Sequence, residues 1–448
     1  MKPKTGERYM AEITPFRGLR YDREKAGDIG LVVAPPYDII PPALQDDLYN
    51  RSHHNVVRLD FAKTMPGDDE KDNRYARAKR CLDQWLAEGV LVEEDAPALY
   101  LYKVDYKTPQ GEPKAMSGFI CMLKLYGWDE GVVLPHEGTL KGPKADRFEL
   151  MKATAVSASQ IFSLYSDPER AVTKALDGAV SDARADISVT DDDGAVHRIW
   201  AVKDEAAIET VRRAMSDKKI FIADGHHRYE TALAYRDYCR EKGVDAGYVP
   251  MFLSNMDEGG LTVLPTHRLV KDAGAVTLDA ILKKAEPFFH VEAFTFTRAD
   301  EAGVRKRFLS ELVGRGQDGH AFGFYFDRGS SYYLLTLKDM SIIKEAIGCE
   351  RSDAYCSLDV TILHTLVVER VLGIDTGAIS DSQPVQFEKD GEKAIARVAV
   401  GEFAMCFLLN ATKVSEVKEV ALAREIMPQK STYFYPKLLT GLVIAKIS

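Results

Sequence analysis

What the chain lacks narrows its class before any motif does. No stretch approaches the ~18 consecutive apolar residues that a membrane-spanning helix requires, so neither a membrane span nor a membrane partner is expected. Basic charge is not in excess: the net charge is −9 and the pI is near 5.7. A general nucleic-acid binder shows a basic face, so no nucleic-acid partner is expected, although an acidic balance leaves room for a local basic pocket. The six cysteines (Cys81, Cys121, Cys239, Cys349, Cys356 and Cys406) are scattered, with no CxxC spacing. That pattern fits reduced thiols in a cytoplasm better than a disulfide framework or a zinc site. The start, Met1-Lys2-Pro3-Lys4-Thr5, is basic but leads into no apolar run, so no signal peptide is expected and the expected location is cytoplasmic. Internal repeats and low-complexity tracts are absent. So are the common templates of phosphate and acyl chemistry: there is no GxxxxGK[ST], no GxGxxG after a strand, no kinase His-Arg-Asp loop and no GxSxG elbow.

What remains is an ordinary globular composition, 46% hydrophobic and 28% charged, over 448 residues. That length accommodates two or three domains. A short strand is expected at Gly30–Val33, followed by a proline-dense ordered loop, Ala34-Pro35-Pro36-Tyr37-Asp38. Residues 73–88 place Cys81, Leu82, Trp85 and Leu86 on one helical face and end at Gly89. Strands are expected at 98–106 and 117–126, a loop at 127–147, and helices at 148–157, 168–184 and 205–216. A strand at 218–223 should feed a helix from about 227 to 242, with strands at 247–254 and 261–264 after it. A new rhythm begins near 271, with helices near 278–287, 299–313, 357–372 and 414–424. Its strands are expected at 320–327, 331–337, 384–389, 394–400 and 403–409. Strands and helices mix without strict alternation, which points to an α+β fold with mixed sheets. The expected division is 1–270 and 271–448.

Three segments carry chemistry. The first is Phe221-Ile222-Ala223-Asp224-Gly225-His226-His227-Arg228, an apolar strand turning through glycine into a helix. A helix N-terminus attracts anions through its free N–H groups and its dipole. Gly225, His226, His227 and Arg228 there make a candidate phosphate site. Asp224 beside them could hold a magnesium ion or orient an imidazole. Helix starts often carry Asp and turns often carry Gly, so a structural corner is the competing reading. Adjacent histidines point in different directions, which argues against a shared zinc ion. The second segment is Leu134-Pro135-His136-Glu137-Gly138-Thr139, with Lys141 and Lys144 close by. A loop carboxylate beside basic residues suits a general base acting on a hydroxyl, and a solvated turn fits the spacing equally. Lys144-Ala145-Asp146-Arg147 reads as a salt-bridged helix cap. The third is Pro428-Gln429-Lys430-Ser431-Thr432, where a lysine and two hydroxyls could bind phosphate or carboxylate.

Asp224-Gly225-His226-His227-Arg228 resembles the motif of the archaeal free-serine kinases, members of the ParB/sulfiredoxin-like superfamily. In those enzymes a Pro-His-Glu segment precedes the motif, and its Glu activates the serine hydroxyl. Pro135-His136-Glu137 has that composition and order. Their late Pro-Lys-Thr-Thr-Arg-His segment is similar to Pro428-Gln429-Lys430-Ser431-Thr432-Tyr433, with one residue inserted and with Tyr433 and Phe434 in place of Arg-His. Nearly the whole chain also resembles a large, mostly bacterial family described only as a domain of unknown function. The matching segments are Pro15 to Tyr21, Ala34 to Asp38, His136-Glu137, Pro143 to Arg147, the Asp224 corner, Pro265 to Arg268 and Lys430 to Thr432.

These resemblances imply a ParB/sulfiredoxin-like catalytic core in the N-terminal part and a C-terminal α/β portion whose 427–437 tail returns to the site. They imply a small-molecule kinase using ATP or ADP with Mg²⁺, free L-serine as the first-choice acceptor and O-phospho-L-serine as the product. Glu137, Asp224, His226 and His227 would be catalytic, and Gly225 to Arg228 would hold phosphate. His136, Lys430, Ser431 and Thr432 would hold the substrate, with Asp224 at the metal. The alternatives are a ParB-like nucleotide switch acting on DNA or protein, and a phosphohydrolase using the same phosphate corner.

Overall fold

The computed structural model describes residues 11–139, 141–181, 183–272, 276–348, 350–374 and 385–448, with the Lys141 side chain left aside. The Met1–Thr5 start, Cys349 and the first residue of the strand expected at 384–389 lie outside the described residues. The chain divides into two compact units. The first comprises Met1–Pro135, Thr139–Thr262 and Pro436–Ser448, and the second His136–Gly138 and Val263–Tyr435.

The first unit is built on a nine-stranded mixed sheet. Its order is Val133–Leu134, Ile220–Asp224, Ile161–Tyr165, Tyr248–Asn255, Pro113–Lys124, Leu99–Lys107, Val196–Val202 and Ile187–Thr190, with Ile13–Thr14 added beside Pro113–Lys124. Two pairings are parallel, Ile220–Asp224 with Val133–Leu134 and Tyr248–Asn255 with Ile161–Tyr165; the others are antiparallel. Side chains alternate across a strand, so one face collects Leu99, Leu101, Phe119, Cys121, Leu123, Met251 and Leu253 into a buried core. The opposite face is apolar too: Tyr102 and Phe162 both pack edge-on against Phe252, at ring-centroid distances of 5.4 and 5.2 Å. Burial on both faces explains why these strands read as near-continuous apolar runs.

The C-terminal residues 436–448 belong to this first unit. Their backbone is tied at Ala34–Thr440, Leu19–Ile444, Ala158–Gly441 and Ala155–Ile447. Leu439 N donates to the hydroxyl of buried Tyr102 at 3.2 Å. The proline-dense loop expected at Ala34–Asp38 is therefore one of the anchors for the chain end.

The second unit carries a six-stranded antiparallel sheet in the order Phe289–Thr295, Ser331–Leu337, Ala321–Phe326, Met405–Leu408, His267–Val270 and Val385–Glu388. Alternation sorts Phe322, Phe324, Met405 and Phe407 into one core and Ala321, Tyr325, Cys406 and Leu408 into another. Among the described residues no helix is long and apolar enough to cross a membrane, and the five described cysteines are free thiols.

The mixed α/β character with several sheets agrees with the composition and pattern, but individual elements do not. The strand expected at Gly30–Val33 is the short helix Ile29–Val32, because the Asp28 side chain accepts from Gly30 N and starts a turn. The strand expected at 394–400 is the helix Gly391–Ala399. Asp390 caps it, and its buried residues Ala394, Ile395 and Val398 follow a helical spacing. The helix expected at 148–157 begins earlier, at Lys141, with Pro143 accommodated in its first turn. The helix expected at 357–372 runs from Asp359 to Val371, starting as an α-helix over Asp359–Ile362 and continuing as a π-helix over Leu363–Val371.

Arg268 in the second unit is fully buried, and its described partners are all neutral. Nε donates to His364 Nε2 at 3.0 Å, Nη1 to Thr266, and Nη2 to the Lys430 carbonyl at 3.2 Å. Burial lowers its guanidinium to about 9. Burial, with Arg268 beside them, lowers His267 to about 4 and His364 to about 3. Both imidazoles are therefore neutral in the fold, while an unfolded histidine takes up a proton near ~6.5. Their folded values are depressed, so their contribution to stability is complete above about pH 6.5 and is lost as pH falls toward the folded values, on the order of 3–5 kcal/mol each at most. Thermal melts of the full chain should show stability dropping between about pH 6.5 and pH 4. The double variant His267→Gln, His364→Gln should flatten that slope; an unchanged slope would exclude these two imidazoles as its source.

Candidate functional site: a cationic cleft at the Asp224 corner

Strand Ile220–Asp224 pairs antiparallel with Ile161–Tyr165, but the register shifts between Ile222 and Asp224. Ile222 faces Ser163 and Asp224 faces Phe162, so one extra residue is inserted in the strand. Simple alternation would send Asp224 after Ile220 and Ile222 into the core. The bulge turns it to the opposite face, beside Phe162.

Gly225 follows with φ 98° and ψ 28°, the left-handed conformation that glycine adopts at least cost. A Cβ there would also lie 2.9 Å from Arg228 Nε and Nη2. Helix His226–Glu241 then begins without a side-chain cap on its first turn. Its Arg228, one turn on from Asp224, donates from Nη2 to Asp224 Oδ2 at 3.1 Å and from Nη1 to the Gln160 carbonyl.

From the C-terminal segment, Lys437 Nζ reaches Asp224 Oδ1 at 3.4 Å. Burial alone would raise the Asp224 carboxyl, but Lys437, Arg228 and His226 outweigh it and lower it to about 2. Asp224 is thus a fixed carboxylate between two cations. Together with Gln160, Phe162, Pro36 and Leu439, these three residues line a small cleft. His226 is buried, and the His227 carbonyl accepts from Thr231 Oγ1 at 2.7 Å.

Behind the corner, Glu230 accepts from Thr139 Oγ1 and Lys144 Nζ, both at 2.6 Å. The expected cap at Lys144–Arg147 lies instead inside helix Lys141–Thr154. Arg147 is buried, paired with Asp146 at 2.6 Å and Asp60 at 3.3 Å, and stacked 4.1 Å over Tyr37. Burial raises the Asp60 carboxyl and pushes the Tyr37 hydroxyl up to about 12. These contacts make Arg147 a packing residue of the first unit.

The other expected residues gather in the second unit. Met427 N donates to the His136 carbonyl at 2.8 Å, Lys430 N to Glu137 Oε1 at 3.3 Å, and His136 Nε2 lies 3.1 Å from Thr432 Oγ1. Residues 293 and 296 positions apart in the chain are thus hydrogen-bonded. Lys430 is exposed and holds φ 57°, while Ser431 is buried, its hydroxyl turned to the Pro428 carbonyl and its own carbonyl bound by Thr412.

The sequence-derived site therefore falls into two groups: Asp224, Gly225, His226, His227 and Arg228 in the first unit, and His136, Glu137, Lys430, Ser431 and Thr432 in the second. Two residues of the cleft, Lys437 and Gln160, were not singled out from sequence. Lys437 closes the run Tyr433-Phe434-Tyr435-Pro436-Lys437, and Gln160 is a polar residue placed directly before a fully apolar strand start. Only the latter is a local signal.

A family model described as "Protein of unknown function (DUF1015)" matches residues 13–361. The chain belongs to this family. Its match spans the Asp224 corner and the His136-Glu137 segment and assigns neither a role. No curated protein matches the chain. Among solved structures, a conserved hypothetical protein from Pyrococcus furiosus is 13% identical and covers 69% of this chain and 92% of its own, at a TM-score of 0.31. A free serine kinase in complex with AMP is 12% identical, with coverages of 71% and 88% and a TM-score of 0.32. SbnI with a C-terminal truncation, from Staphylococcus aureus, is 10% identical, with coverages of 72% and 86% and a TM-score of 0.34. Likeness at this level carries nothing about the reaction of this family member.

The corner yields a direct expectation. Gly225→Ala forces a β-carbon into a left-handed turn and against the Arg228 guanidinium, so it should cost about 1–3 kcal/mol of stability. Thermal or urea unfolding of the two proteins checks it. A variant as stable as the parent would mean that the turn relaxes freely.

Proposed function

We propose that this protein is a phosphotransferase that moves a phosphoryl group from ATP or ADP to a small hydroxyl compound, free L-serine first, giving O-phospho-L-serine. The observation that carries the proposal is the Asp224 corner of the first unit. A bulged strand, a left-handed glycine and an uncapped helix start converge there with two cations on one ionised carboxylate. Such fixed donors neutralise charge on a transferring phosphoryl group without reorganising during the reaction. The resemblance of Asp224–Arg228 and Pro135–Glu137 to the free-serine kinases, in the same chain order, supplies the acceptor. A ParB/sulfiredoxin-like core for the first unit belongs to the same proposal.

In this mechanism Arg228, Lys437, His226 and His227 hold the phosphates over the Gly225 turn. Glu137 accepts the proton of the acceptor hydroxyl as its oxygen bonds to the terminal phosphorus. The bond from that phosphorus to the bridging oxygen breaks, and the shortened nucleotide leaves with the electron pair. His136, Lys430 and Thr432 hold the acceptor, and Ser431 serves it through the backbone shape of its loop.

Among the described residues there is no cluster of three potential metal ligands, and both Asp224 oxygens already face cations. The described residues thus offer no ready-made metal cage. A magnesium ion carried in on nucleotide phosphates would neutralise phosphoryl charge, with Asp224 the one carboxylate at the corner to meet it.

Incubation with ATP or ADP, Mg²⁺ and serine should yield phosphoserine, detected by mass spectrometry. If neither serine nor a panel of small alcohols is phosphorylated and the nucleotide stays intact, the proposal fails; nucleotide cleavage without a phosphorylated acceptor would identify a phosphohydrolase. Glu137→Gln should abolish transfer while leaving nucleotide binding largely unchanged. Arg228→Met and Lys437→Met should each weaken nucleotide binding by roughly 10- to 100-fold, the worth of one charged hydrogen bond. Affinity unchanged in both would remove the corner from the phosphate site.

A further inference from the structure

Within the first unit, the Tyr102 hydroxyl holds the backbone of Leu439, two residues past Lys437 in the chain. Packing on Phe252 fixes the Tyr102 ring, and its hydroxyl lies 2.7 Å from Nδ1 of His197, which is 0% exposed. On the far side of that imidazole, Nε2 lies 3.0 Å from Asp191 Oδ2. The other Asp191 oxygen accepts from the backbone N–H groups of Asp193 and Ala195, at 3.0 and 2.8 Å. Burial alone would raise the Asp191 carboxyl, but His197 and the Ala195 N–H outweigh it and hold it below the ordinary carboxylate range. A turn, two neighbouring sheet strands and the C-terminal segment are thus joined by one line of hydrogen bonds.

That line has a single direction. An ionised Asp191 only accepts, so Nε2 carries the ring hydrogen. The neutral ring then leaves Nδ1 bare, and the Tyr102 O–H donates to it. Burial holds that hydroxyl well above the ordinary phenol range, so its proton stays on Tyr102. The phenolic oxygen keeps its lone pairs for the Leu439 N–H, which donates at 3.2 Å. Lys437, Leu438 and Leu439 all line the Asp224 cleft, and Lys437 Nζ meets Asp224 Oδ1 there at 3.4 Å. A lysine side chain has many rotamers, so the place of its ammonium depends on how firmly the backbone beneath it is held.

We propose that Tyr102 is a positioning residue of the Asp224 site: oriented through His197 by Asp191, its hydroxyl fixes the Leu439 backbone and thereby sets the Lys437 ammonium for the anionic ligand. The inference rests on the phosphate-site reading above and adds to it the device that holds one of the two cations in place. Tyr102 acts through Leu439 and Lys437, not on the ligand. A donor set in advance in this way need not be ordered when the phosphates arrive.

The test is calorimetric titration of the full chain with ADP and Mg²⁺, for the parent, Tyr102→Phe, Lys437→Met and the double variant. Tyr102→Phe should weaken binding by roughly 3- to 10-fold, the worth of one ordinary hydrogen bond. In the Lys437→Met background the same change should add less than about 2-fold, because the ammonium it positions is gone. A general loosening of the fold would give additive losses instead, and additive losses overturn the inference. So does unchanged affinity in Tyr102→Phe where Lys437→Met has weakened binding; the phosphate site then stands. Unchanged affinity in Lys437→Met, or no binding of ADP by the parent, overturns the phosphate-site reading and this inference with it. Asp191→Asn is an independent arm, at a side chain 19% exposed. Its amide would donate to Nε2, move the ring hydrogen to Nδ1 and turn that nitrogen into a donor toward Tyr102. It should repeat the Tyr102→Phe pattern, and it decides the inference even if Tyr102→Phe does not fold; unchanged affinity in Asp191→Asn overturns the role given to Asp191 and His197.

Discussion

The first unit depends on one carboxylate shared by two cations. Asp224 holds Arg228 from the helix one turn ahead and Lys437 from the end of the chain. Without the carboxylate, two like charges would face one small cleft with no counter-charge, a costly arrangement away from bulk water. The strand bulge exists in service of this contact, since without it the carboxylate would be carried into the apolar core with Ile220 and Ile222. Gly225 serves it as well, because only a residue without a β-carbon leaves room for the guanidinium to fold back. The C-terminal segment, stitched by backbone hydrogen bonds to residues 19, 34, 155 and 158, then delivers Lys437. Secondary structure, local strain and chain topology all converge on the same few ångströms.

The second unit uses a different device, a buried cation with neutral acceptors. Arg268 spreads its charge over two carbonyls, a hydroxyl and a histidine nitrogen, and the Phe387 ring lies 4.7 Å from its guanidinium carbon. One of those carbonyls is that of Lys430, which Thr266 Oγ1 also binds. The Lys430 backbone sits in the left-handed region, and such conformations persist only when the surroundings over-determine them. Here Arg268, Thr266, Thr412 and the Glu137 carboxylate do so together. The exposed ammonium of Lys430 thus projects from a loop fixed at its backbone.

Much of this architecture is legible in the order of residues alone. The helix at residues 73–88 follows from the helical spacing of its apolar residues, and the strands near 98–106, 247–254 and 331–337 from short apolar runs rich in branched and aromatic residues. The errors are equally physical. Gly30–Val33 looks extended by its branched residues, yet the Asp28 carboxylate at its start makes a helical turn cheaper. Residues 394–400 look like a strand in isolation, and Asp390 together with the neighbouring core makes them a helix. The segment 127–147 reads as a loop because Gly, Pro and charges crowd it, but Pro in a first turn costs nothing, and Arg147 finds Asp60 and Tyr37 to bury against.

The sequence by itself determined that an apolar strand turns through glycine into a cation-rich helix start at Asp224–Arg228, since residue type and a strand-to-helix transition are local properties. It also marked His136-Glu137 and Lys430–Thr432 as segments worth watching. Only the tertiary structure decided that these last two are hydrogen-bonded to each other, that Asp224 faces a cleft rather than the core, and that Lys437 and Gln160 complete that cleft. Each of those facts depends on register, on a single inserted strand residue, or on where a distant segment of chain returns. Contacts between residues hundreds of positions apart leave no periodic trace in a single sequence.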